Sequence, residues 1–180
     1  ESQMSLILEW QRVGFIHGVM NTDNMTLSGE TIDYGPCAFL DEYNPNKVFS
    51  SIDHKGRYSF NNQPKIGLWN LARLAETFLH LIDNDENLAI KKVEKILKKF
   101  ENKYYDLWLS MMKKKININN EHEGDMSLIK ELLDIMHVFK LDYTNTFIDI
   151  ENKNIDKYDF IKNWITKLNE RKKLNKTNED

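Results

Sequence analysis

The sequence predicts a mainly α domain, and three observations carry that prediction. Every long apolar pattern after Pro64 repeats at three to four residues, the spacing of a helix face rather than the two-residue alternation of a strand. The 180 residues are 41% hydrophobic and 11% aromatic, enough to fill one interior and too few for two full domains. Pro36, Pro45 and Pro64 account for all the proline, so the strongest helix breakers are confined to one irregular stretch.

The elements follow in order. Leu6, Ile7, Trp10 and Val13 mark one face of an opening helix. Phe15 to Val19 is a short apolar run broken by Gly18, and the runs Met25 to Leu27 and Thr31 to Ile32 flank Ser28-Gly29, the pattern of a small hairpin. From Tyr34 to Pro64 no period is sustained, which predicts an irregular segment with one short helix near Ala38 to Tyr43; loops of that length inside a compact domain are usually functional. Leu68, Leu71, Ala75, Phe78, Leu79 and Ile82 share a face over Ile66 to Ile82, and Asn84 or Asp85 is placed to cap a second helix reaching about Lys115. Asn117 to Gly124 reads as a loop, with Asp125 capping a helix over Ser127 to Phe139. Asp142 to Ile150 and Lys157 to Arg171 continue the helical pattern, with Phe160, Ile161, Trp164 and Leu168 inward. This gives a single domain over 1–171 with a helical bundle from 65 to 171; Lys172 to Asp180 is charged and apolar-poor and is expected to fray.

Composition excludes several functions. The net charge is −3, and although Lys91, Lys92, Lys95, Lys98 and Lys99 crowd one stretch, they alternate with Val93, Ile96, Leu97 and Phe100 as the solvated face of an amphipathic helix does. Nucleic acid is not expected as a partner. Cys37 is the only cysteine, so no intrachain disulfide or cysteine-based zinc site is available. No segment approaches the roughly 18 apolar residues of a membrane span, and no secretory-signal layout opens the chain; a soluble, cytoplasmic protein without a membrane partner is expected, or a mitochondrial one in a eukaryote.

The chemistry lies in His17-Gly18-Val19-Met20-Asn21-Thr22-Asp23-Asn24, followed nine residues after Asn24 by Asp33-Tyr34-Gly35. A protein-kinase catalytic loop places an Asn seven residues after its His, and a later Asp-Phe-Gly carboxylate holds magnesium; here too seven residues separate His17 from Asn24. An amide oxygen and a carboxylate on adjacent strands suit a hard cation that shares its remaining positions with phosphates, so Asn24 and Asp33 are the candidate metal ligands. Where a kinase carries its catalytic Asp this chain has Val19, which cannot accept a proton. Asp23 is the one carboxylate left in the loop and becomes the candidate base or hydroxyl-positioning group. His17 is expected to be a structural hydrogen-bonder beneath the metal Asp.

Gly14 to Met25 and Glu30 to Cys37 closely resemble the selenoprotein O family, also called the YdiU family. So do Val48 to Asp53, Gly56-Arg57-Tyr58, Asn62-Gln63-Pro64, Trp69 to Leu74 and Asp142 to Phe147, a resemblance dense to Glu76 and patchy beyond. It implies the helical C-terminal lobe of a protein-kinase-like fold, with one short β-hairpin at the catalytic loop, in an enzyme that transfers AMP from ATP to protein Ser, Thr or Tyr hydroxyls. It further implies Asp23 as proton acceptor, Asn24 as magnesium ligand and Asp33 as magnesium and ATP ligand, with magnesium or manganese as cofactor. The family's nucleotide loop, its lysine with an acidic partner and its phosphate-gripping arginines lie upstream of this motif, so the chain is expected to lack the nucleotide-binding lobe and to be inactive alone. An exposed apolar patch near the first helix and hairpin is expected where that lobe packs, with dimerisation through it. The alternative function is a catalytically inactive, pseudokinase-like helical scaffold that binds protein partners.

Among the other residues, Arg57, Tyr58, Gln63 and Trp69 follow the metal Asp where substrate-docking segments lie. The simpler expectation is that Trp69 and Tyr58 are core while Arg57 or Arg73 satisfies buried carbonyls or a carboxylate. Glu121-His122-Glu123 are adjacent on a loop and diverge, so no metal is expected there.

Overall fold

The computed structural model describes residues 1–155 and 158–176. Helices dominate: α1 (Ser2–Val13), α2 (Gln63–Thr77), α3 (Leu79–Ile82), α4 (Glu86–Lys115), α5 (Asp125–Val138), α6 (Tyr143–Glu151) and α7 (Lys162–Lys176). The sheet consists of β1 (Phe15–Ile16) antiparallel to β2 (Ala38–Phe39), with Phe15 opposite Phe39 and Ile16 opposite Ala38. The contacts divide the chain into two compact units, Glu1–Phe39 with Pro45–Leu107, and Leu40–Asn44 with the residues from Trp108 onward.

In the first unit, α1 packs on α2 and on β1, and Ile7, Trp10, Phe15, Ile16, Met20, Phe60 and Ile66 are buried. Gly67 permits this packing, since a Cβ there would fall 2.3 Å from Ile7 Cδ1. The chain leaves α1 through Gly14 in the left-handed conformation (φ 75°) and turns directly into β1. Pro64 stands in the first turn of α2, where its missing N–H costs nothing, so this helix starts earlier than Ile66. It ends at Thr77, and a separate short turn of helix, α3, carries Leu79–Ile82. Asp85 caps α4 as expected, its Oδ1 accepting from the N–H of Asn87 at 2.9 Å and of Leu88 at 3.2 Å.

The second unit buries Met112, Ile116, Ile118, Ile129, Leu132, Met136, Tyr143, Ile161 and Trp164, and Trp164 Nε1 donates to the Leu128 carbonyl at 2.8 Å. Asp142 caps α6 through Asn145 N–H at 2.6 Å. Asp125 does not cap α5; Gly124 occupies that position and makes no side-chain bond. The Asp125 carboxylate is instead buried against Arg171, at 2.6 and 3.1 Å, with Lys113 at 3.5 Å and the His122 N–H at 3.0 Å.

Two local expectations are corrected. Ala38 to Tyr43 forms no helix, because Ala38–Phe39 pairs with β1. The hairpin around Ser28-Gly29 reduces to one antiparallel bridge, Met25 to Thr31, and the sheet closes wider, around the whole loop from His17 to Cys37. Lys172 to Lys176 belong to α7, and residues 177–180 of the tail lie outside the described residues. At the hairpin side Leu27, Ile32, Tyr34 and Phe39 are exposed, whereas the apolar residues Ile7, Leu8 and Trp10 of α1 are buried. No helix among the described residues is long and apolar enough to cross a membrane.

Candidate active site

The loop between β1 and β2 carries Asp23, Asn24 and Asp33, and its shape follows from its short polar residues. Asn21 Oδ1 accepts from the N–H groups of Asp23 and Asn24, both at 3.1 Å, an Asx cap that starts the tight 3-10 turn Thr22–Asn24. That turn exposes Asp23 and leaves Asn24 half-buried. Asn24 Nδ2 donates to the Val19 carbonyl at 2.9 Å, which fixes the orientation of the amide.

Asp33 lies beyond the Met25–Thr31 bridge. Asn24 precedes one bridged residue and Asp33 follows the other by two, so antiparallel pairing returns both to the same end of the excursion. Asp33 is exposed and adopts a left-handed conformation, φ 56°, within a turn closed by the Gly35 N–H on its carbonyl at 2.8 Å. A non-glycine residue there is uncommon, Asp being among the more tolerant types, and such strain gathers at functional sites.

His17 joins the two halves. It is fully buried, and its Nε2 donates to the Ile32 carbonyl at 2.8 Å, the residue before Asp33. A carbonyl only accepts, so the proton is on Nε2, and Nδ1 receives the Val19 N–H at 3.4 Å. A hydrogen-bonded path therefore runs from Asn24 through Val19 and His17 to Ile32 and Asp33. Gly18 allows the path to close: its φ is 87°, and a Cβ would lie 2.8 Å from the Pro36 carbonyl oxygen.

Two helices grip this loop by residues to which sequence reasoning gave no such role, Gln63 having been read as part of a substrate-docking segment. Gln63, fully buried at the start of α2, accepts from the His17 N–H and donates to the Phe15 carbonyl, both at 3.0 Å. Asn70, seven residues on and so on the same helix face, donates to the Met20 carbonyl at 2.8 Å. From α1, Gln3 donates to the Thr26 carbonyl and Trp10 Nε1 to Thr31 Oγ1 at 3.0 Å. The signal available in the sequence was the pair of amides at i and i+7 on an otherwise apolar face.

Trp69 is not core: it is 40% exposed, with the Arg57 guanidinium 4.6 Å and the Arg73 guanidinium 5.3 Å from its ring centroid. Arg73 also pairs with Glu76 at 2.6 Å on the surface. Among the described residues no cluster of three or more His, Cys, Asp and Glu could hold a metal ion. The loop carries the Asn24 amide oxygen and the Asp23 and Asp33 carboxylates, hard oxygens of the kind that suits magnesium or manganese.

Comparison with known proteins agrees with these motifs. A family profile described as "Protein adenylyltransferase SelO" matches residues 1–179. A protein nucleotidyltransferase YdiU of Pelagibacter ubique is 54% identical over 172 residues, covering 93% of this chain and 36% of the relative. One from Clostridium botulinum is 55% identical over 159 residues, 88% of this chain and 32% of that protein. A third, from Halalkalibacterium halodurans, is 57% identical over 145 residues, 81% of this chain and 30% of its own length. The chain thus spans about a third of the length of these curated relatives, and on the family match it belongs to the SelO family of protein adenylyltransferases.

Proposed function

We propose that the chain is the metal- and acceptor-positioning part of a nucleotidyltransferase that moves AMP from ATP to a Ser, Thr or Tyr hydroxyl of a protein, on a kinase-like helical lobe. The observation that carries this reading is the hydrogen-bonded path from Asn24 through His17 to the residue before Asp33. Separate bonds on a buried His hold the backbone beside two oxygen ligands, as electrostatic catalysis by preorganised groups requires. The names of the relatives support the nucleotidyl class.

In this reading Asn24 Oδ1 and the Asp33 carboxylate hold a divalent cation, which when bound neutralises charge on the triphosphate. Exposed Asp23 accepts the proton of the attacking hydroxyl. The hydroxyl oxygen forms a bond to the α-phosphorus as the bond to the β-phosphate bridging oxygen breaks, and pyrophosphate leaves. The test uses full-length protein and ATP labelled on either the α- or the γ-phosphate. Label transferred to protein from the α-position is expected. Transfer from the γ-position would make the protein a kinase, and protein-partner binding without transfer of either label would make it a scaffold.

A further inference from the structure

The sequence from Ser51 to Thr77 carries four basic residues, Lys55, Arg57, Lys65 and Arg73, against Asp53 and Glu76, in a chain whose net charge is −3. Neither carboxylate forms an ion pair with Arg57. Asp53 accepts from backbone instead, Oδ1 from the Arg57 N–H and Oδ2 from the Tyr58 N–H, each at 2.8 Å. Glu76 pairs with Arg73. Among the described residues Arg57 forms no salt bridge.

The segment that presents Arg57 is firmly built. Beyond the two bonds to Asp53, Asn62 Nδ2 donates to the Arg57 carbonyl at 2.5 Å and the Ser59 N–H donates to the Gly56 carbonyl at 3.2 Å. The exposed guanidinium lies over two rings, 4.6 Å from the Trp69 centroid and 5.7 Å from that of Tyr58. Such contacts hold the cation by its charge and leave its N–H donors for an anion. Arg73 lies over the same indole, so the two guanidinium groups are no farther apart than the sum of their distances to one ring.

We propose that Arg57, Trp69 and Arg73 form a docking site for an acidic segment of the protein that receives the nucleotide, a proposal that rests on the function proposed above. The Arg57 fork matches a carboxylate, which it binds through paired N–H donors, and Arg73, paired with Glu76, adds a second guanidinium at the same indole. Single-stranded nucleic acid is disfavoured because it stacks bases on open aromatic faces, and here guanidinium groups already overlie the indole. The helix that carries Trp69 and Arg73 on its exposed side carries Gln63 and Asn70 on its buried side, against the catalytic loop. A segment docked there is therefore held by the helix that grips the backbone of the loop carrying Asp23, at Phe15, His17 and Met20.

The test measures binding of a fluorescein-labelled Glu-rich peptide containing one Tyr to full-length protein by anisotropy, beside a Lys-rich counterpart and an oligo-dT. Wild type should prefer the Glu-rich peptide at least tenfold and lose that preference as salt rises. Arg57→Ala with Arg73→Ala should weaken Glu-peptide binding about tenfold or more while ATP binding and the thermal midpoint stay unchanged. Arg57→Lys should recover only part of it, since an ammonium cannot offer the fork. In transfer assays the double variant should raise KM for the acidic acceptor with kcat little changed. Equal binding of the two peptides, tighter binding of oligo-dT, or a double variant indistinguishable from wild type overturns the docking site. Asp33→Ala separates the two proposals: it should abolish transfer while peptide binding persists, whereas an active enzyme indifferent to Arg57 and Arg73 sinks the docking site alone.

Discussion

Gly18 and His17 illustrate how little tolerance the loop has at single positions. Gly18 combines a left-handed φ of 87° with a Cβ position 2.8 Å from backbone oxygen, and neither problem can be relieved by rotating a side chain. Gly18→Ala should destabilise the first unit by roughly 2 to 4 kcal/mol, from left-handed strain and overpacking together, read as a lower denaturant midpoint at constant slope. An unchanged midpoint would mean the Gly18–Pro36 approach is wrong. His17 was legible as a structural residue from its place in the motif, and its bond to the Ile32 carbonyl gives that role a geometry. Trp69 was misjudged for a physical reason: large aromatics are usually buried, but two arginines cover this ring where core would otherwise do so.

On the scale of elements, the long helices were legible because their apolar faces repeat over many turns, and Asp85 was legible because short carboxylates cap helices. The two-residue strands were not, since two residues carry no period and Ala38–Phe39 becomes a strand only by meeting β1. The grip of α2 on the loop was equally hidden, because amides on a helix announce no partner. It yields a ranked prediction. Gln63 satisfies both its ends, whereas Asn70 Oδ1 is buried without a partner among the described residues. Removing Gln63 leaves a buried donor and a buried acceptor unmade, at about 1–3 kcal/mol each. Gln63→Ala should therefore cost more stability than Asn70→Ala, measured by thermal unfolding of the two variants. The reverse order would show that the Asn70 bond to Met20 is the stronger anchor.

At the scale of the whole molecule, the second unit depends on one buried ionic cluster. Burial pushes the Asp125 carboxyl up, but the Arg171 hydrogen bonds and charge, with the His122 N–H and Lys113, outweigh it and hold it below the usual carboxylate range. A depressed folded-state value means the stabilisation is full above the unfolded value of about 3.9 and is lost as pH falls below it. Asp125→Asn should remove that part of the acid dependence. It should also cost on the order of 3–5 kcal/mol at neutral pH, because buried Arg171 and Lys113 lose the Asp125 carboxylate. A pH–stability profile below pH 4 identical in variant and wild type would contradict the assignment. The proposed function bears on the other unit, and its most direct test compares Asp33→Ala and Asp23→Ala in the full-length protein, reading α-phosphate label on protein and ATP binding side by side. Asp33→Ala should abolish labelling, and Asp23→Ala should lose most labelling while still binding ATP. Unchanged labelling in Asp33→Ala would contradict the site.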